Sequence, residues 1–80
     1  MNNNKSIIPL SDALEGKEYI VSGLETFDDE LDSFLFTLGC YSGEPVVVVS
    51  KLSGGYVVSI KDGRYNIDKN LASSILVTEK

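Results

Sequence analysis

The chain has 80 residues, 7 basic and 12 acidic side chains, a formal charge of −5 and one cysteine, which makes it a single small domain. A chain of this size buries only ~60% of the surface its unfolded form exposes, leaving a modest core and no scaffold to spare for a substrate cavity. The cations Lys5, Lys17, Lys51, Lys61, Arg64, Lys69 and Lys80 form no run, which disfavours nucleic-acid binding by counterion release and attraction to an anionic membrane. The longest uninterrupted aliphatic run is Val46-Val47-Val48-Val49, too short to span a bilayer. The first residues, MNNNKSIIPL, lack the apolar core of a secretory signal, and the lone Cys40 cannot build a disulfide framework. A cytoplasmic address is expected.

Residues 1–8 begin polar and without period and are read as a disordered tail, so the domain is expected over residues 9–78. Ser11 or Asp12 is placed to cap a single helical turn that Gly16 ends. Residues 18–24 have strand composition, with Tyr19, Ile20, Val21 and Leu24. Thr26 with Asp29 three positions on resembles a capping box, and Asp28, Asp29 and Glu30 suit the positive end of a helix. Leu31, Phe34, Leu35 and Leu38 then fall on one stripe at i, i+3, i+4 and i+7, and Gly39 ends the helix. The stripe predicts a helix packed by these four residues against the core.

The period then changes. Val46 to Val49 is a β-branched run bounded by Gly43 and Pro45. Ser53-Gly54-Gly55 reads as a hairpin turn with a returning strand over residues 56–60. Asp62-Gly63 predicts a two-residue turn with positive φ at both positions, followed by a strand over residues 64–67. A short turn over residues 68–72 leads to a last strand over 74–78. The expected fold is mainly β with one or two short helices. Five strands around so small a core are expected to curl into a small barrel, which limits exposed edges.

Read in register, the chain resembles the FeoA family, ferrous iron transport protein A. The matching features are Pro9-Leu10-Ser11-Asp12 and Leu14-Glu15-Gly16, a strand ending near Gly23, and a helix ending Leu38-Gly39. Gly43, the β-branched strand after it, Gly63, Ala72 and Ile75-Leu76-Val77 complete the order over residues 9–78. The chain departs from the family at Asp28-Asp29-Glu30-Leu31-Asp32, where the family helix carries basic residues, and at Asn66 to Leu71, where an arginine is usual. The resemblance implies an SH3-like β-barrel and an accessory or regulatory role in ferrous iron uptake, without catalysis. The implied partner is the cytosolic part of a GTPase-containing membrane iron transporter. A free-standing SH3-like interaction module with an unrelated soluble partner is the alternative, and weak self-association is allowed for.

No cofactor or metal site is expected. Without histidine, and with one thiol, the chain has no soft transition-metal set and no acid–base–nucleophile constellation. Asp28, Asp29, Glu30 and Asp32 are the densest carboxylate cluster, and a solvated helix N-terminus explains them better than a cation site does. Cys40, just past a helix C-terminus and without a base, reads as filler rather than as a nucleophile. SH3-like barrels that take extended peptides use aromatic-lined grooves. Tyr41, Tyr56, Tyr65 and Arg64, beside predicted turns, are therefore the candidate partner contacts, with Tyr41 and Tyr56 foremost.

Overall fold

The computed structural model describes residues 6–25 and 28–80. Among these residues, six antiparallel strands and two helices follow one another as β1 (Ile8–Pro9), a 3₁₀ turn (Leu10–Asp12), β2 (Glu18–Leu24), α1 (Asp29–Leu38), β3 (Pro45–Leu52), β4 (Gly55–Ile60), β5 (Gly63–Ile67), α2 (Lys69–Ser73) and β6 (Ile75–Glu79). The sheet order is β1-β6-β2-β3-β4-β5. This is the expected mainly-β class, with one strand more than anticipated. The extra strand is β1, in which Ile8 pairs with Val77 and Pro9 with Leu76. The ordered chain therefore starts before residue 9. Thr26, expected to cap the helix, lies outside the described residues, as do residues 1–5.

Period-two alternation builds the core. Tyr19 and Val21 of β2, Val46 and Val48 of β3, Tyr56, Val58 and Ile60 of β4, and Ile75 and Val77 of β6 all point inward. Register irregularities, between Val48 and Ser50 in β3 and between Val21 and Gly23 in β2, bend the sheet round this core. Leu10 and Ala13 from the first turn, Leu35 from α1 and Ala72 from α2 complete it. The opening segment is tied down by polar contacts: the Tyr56 hydroxyl donates to the Ser11 carbonyl at 3.2 Å, and the Tyr19 hydroxyl accepts from the Leu14 N–H at 3.0 Å. In the same region the Glu15 carboxylate accepts from the Lys51 N–H at 2.6 Å.

Two local expectations are corrected. The first turn is not capped by Ser11 or Asp12: Pro9 precedes it without a side-chain cap, and it ends at Ala13. The tight turn between β4 and β5 lies one residue earlier than Asp62-Gly63, because Ile60 pairs with Gly63 and leaves Lys61-Asp62 as the loop. Lys61 has φ +52° and Gly63 does not have positive φ. A non-glycine residue in that region costs ~1 kcal/mol, which the flanking ladder sustains. The last short turn is a helix, α2, whose N-cap Asp68 accepts from the Leu71 N–H at 2.7 Å.

α1 forms much as expected but packs by less of its stripe. Asp28 is its N-cap, accepting from the N–H groups of Glu30 at 2.9 Å and Leu31 at 3.4 Å. Gly39, at φ +95°, closes the other end: its N–H reaches the Phe36 carbonyl at 3.0 Å, and the Cys40 N–H reaches Leu35 at 2.9 Å. This is the paired bonding of a Schellman ending. Leu35 is fully buried and Leu38 packs against the core, whereas Leu31 is 38% exposed and Phe34 49% exposed. The expected four-residue seam is therefore carried mainly by two residues, with Leu31 and Phe34 only partly covered.

A candidate interaction groove

The segment leaving α1 is pinned to β2. The Gly43 N–H donates to the Val21 carbonyl and the Val21 N–H to the Glu44 carbonyl, both at 2.9 Å, while the Glu44 N–H closes a turn on Tyr41 at 3.1 Å. This fixes the Tyr41 ring against Phe36, with centroids 4.8 Å apart at an interplanar angle of 42°. Phe36 projects away from Leu35 and is 64% exposed. The β4–β5 turn approaches from the other side. The Lys61 stem crosses Gly39, where an added Cβ would lie 3.0 Å from its Cδ. Its ammonium ends 5.0 Å from the Tyr41 ring centroid and 3.5 Å from Glu44 Oε1. The Tyr41 hydroxyl, and then the Glu44 carboxylate, hold the Lys61 ammonium above the usual lysine range.

Between these elements runs an open groove of about 660 Å³ lined by Phe36, Leu38, Tyr41, Lys61, Asp62 and Tyr65. Tyr65 lies over Gly63, where an added Cβ would overlap its phenol, so glycine is what lets the ring lie along the strand. Tyr41 and Tyr65 are thus brought together. Arg64 and Tyr56 are not. Arg64, opposite Ser59, is exposed on the face of β5 away from Tyr65. Tyr56 is only 8% exposed; its ring packs in the core and its hydroxyl is bonded to Ser11, so it is not placed as a surface contact. Phe36, Leu38, Lys61 and Asp62 line the groove without having been candidate contacts. Phe36 carries a signal, an aromatic residue off the helical stripe; Lys61 carries none beyond its turn.

The cluster of carboxylates at the start of α1 includes the capping Asp28, and among the described residues no group of three or more His, Cys, Asp or Glu side chains is placed to hold a metal ion. Cys40 is fully buried, and burial pushes its thiol up to about 11. Burial, rather than the helix end, is the cause. Because the folded state binds this proton more tightly than the unfolded chain does, the contribution is complete below the ordinary value of 9.0 and is lost as pH rises through about 11. The thermal midpoint is therefore expected to fall more steeply over that alkaline window in the parent than in Cys40→Ala. Parallel curves for the two proteins would show that the thiol does not titrate in this way.

Comparison with known proteins identifies the fold. No curated protein sequence matches the chain. Among solved structures, an iron uptake regulatory protein, FeoA, is similar at 24% identity and TM-score 0.82, covering 94% of this chain and 99% of that one. A Stenotrophomonas maltophilia FeoA complexed with zinc, described as a prokaryotic SH3 domain protein, is similar at 22% identity and TM-score 0.76, over 85% of this chain and 86% of that one. T. acidophilum IdeR shares the fold at 18% identity and TM-score 0.83; all of this chain is covered, but only 37% of that one. The architecture is SH3-like. The FeoA domain model matches residues 8–79, nearly the whole chain, and the chain belongs to the FeoA family.

Proposed function

We propose that this chain is a small cytoplasmic accessory protein of ferrous iron uptake, regulating a membrane iron transporter by docking onto its cytosolic, GTPase-containing part. The observation that carries this reading is the groove at the end of α1, where exposed Phe36 stands beside Tyr41, Lys61 and Tyr65. Aromatic side chains at a concave surface supply the rigid contact area on which protein interfaces depend. FeoA membership supplies the link to ferrous iron transport. Among the described residues no helix is long and apolar enough to cross a membrane. Docking that favours one state of the transporter shifts its population without any chemistry in this chain.

Deletion of the gene is expected to lower ferrous uptake by cells, and restoring the parent chain to recover it. The tagged protein should also retain the transporter from solubilised membranes. Unchanged uptake and no retention would remove the transporter from this reading. One observation favours the alternative of a soluble partner: α1 opens with Asp29, Glu30 and Asp32 and has no basic residue. Recovery of only a soluble protein from the cytosol would establish that alternative.

A further inference from the structure

The groove lies in an acidic setting. Asp62 lines both it and the neighbouring hollow that contains Glu18 and Glu44, and Asp32 of α1 lines a further hollow that shares Phe36 and Tyr41 with it. Lys61 is the cation that lines the groove itself, while Lys80 pairs with Glu18 of the neighbouring hollow at 3.3 Å. The Lys61 cation comes from a turn residue with φ +52°, its side chain is 45% exposed, and its ammonium sits between an aromatic face and a carboxylate. That is the position in which a protein holds a ligand's lysine or arginine: the ring quadrupole attracts the cation and the carboxylate pairs with it.

We propose that the groove takes a basic segment of a protein partner, with Lys61 as a resident cation that the incoming lysine or arginine displaces. This rests on the docking reading above and names the chemistry of the partner. Charge complementarity carries it: a chain of net charge −5, acidic around this groove, steers a basic segment toward it. Exposed Phe36 and half-buried Tyr65 offer the apolar contact such a segment needs to be held rather than merely attracted.

The probes are two blocked hexapeptides, one alternating leucine with arginine and one alternating leucine with glutamate, titrated into the ¹⁵N-labelled chain. The arginine peptide is expected to move the amides of Phe36, Tyr41, Lys61 and Asp62, and to bind more weakly as salt rises. Lys61→Gln and Lys61→Gly, the second of which suits the backbone, should bind it about threefold tighter, the scale of an exposed cation–π contact removed from competition. Tyr41→Ala should bind it more weakly.

Preference for the glutamate peptide, or weaker arginine-peptide binding by both Lys61 variants, would make Lys61 the recognition group and overturn the proposal. So would the absence of shifts with either peptide, or self-association that moves the same amides. Retention of the transporter without any preference between the peptides removes this inference and leaves the transport role standing. Arginine-peptide binding with unchanged ferrous uptake does the reverse.

Discussion

Leu35→Asp is expected to leave the chain unfolded at room temperature. Leu35 is the one fully buried side chain of α1, and the helix is held to the sheet by it and by Leu38. Truncating a buried leucine costs about 2–5 kcal/mol, and an unpaired carboxylate in its place adds several more. A domain of this length has a total stability of only about 4–12 kcal/mol, so the substitution exceeds most of that range. Far-ultraviolet circular dichroism and a thermal scan read the outcome directly. Leu31→Asp is the matched contrast. The sequence places both leucines on one stripe, but Leu31 is exposed, and a new carboxylate in the first turn suits the helix dipole. That variant should stay folded, losing only about 1–2 kcal/mol for the partly covered leucine. If Leu31→Asp unfolds the chain and Leu35→Asp melts normally, the helix is anchored through its first turn and not through Leu35.

The contrast also shows what was legible in the chain. The strands were, because Val46 and Val48, Tyr56, Val58 and Ile60, and Ile75 and Val77 repeat at the period of a pleated sheet. The helix and its stop at Gly39 were legible for the same kind of reason. Periodicity, however, states which residues share a face and not how much of that face is covered. Leu31 and Phe34 share the stripe of Leu35 yet are only partly covered, while Leu35 is fully buried. The β4–β5 turn slipped by one residue because local Asp-Gly preference is weaker than the ladder that pairs Ile60 with Gly63.

Tyr56 was misplaced by its neighbourhood: glycines beside it suggest a loop, yet its spacing from Val58 and Ile60 sets it on the inward face. Tyr41 and Tyr65 were recognised singly, but their meeting was not. It depends on a helix end and a hairpin turn far apart in sequence, joined by the stem of Lys61 lying across Gly39. Nothing local encodes that.

Removal of the groove's aromatic pair is expected to abolish partner capture while the fold survives. Phe36 and Tyr41 form one tilted contact, so either truncation strips support from the other ring. Phe36→Ala and Tyr41→Ala should each weaken capture about ten- to thirtyfold, the range of ~1.4–2 kcal/mol typical of an anchoring aromatic. The double variant should lose less than the sum of the two, since the rings act together. Phe36 is so exposed that its truncation should lower stability by no more than ~0.5 kcal/mol, which separates loss of binding from loss of fold. Arg64→Ala is the control, because its side chain is on the opposite face of β5 and should leave capture within about twofold. Titration of the retained partner against each variant decides the matter. Parental affinity in Phe36→Ala together with a loss in Arg64→Ala would move the docking face to the other side of the sheet edge, and the groove would then serve only to pack α1 against the β4–β5 turn.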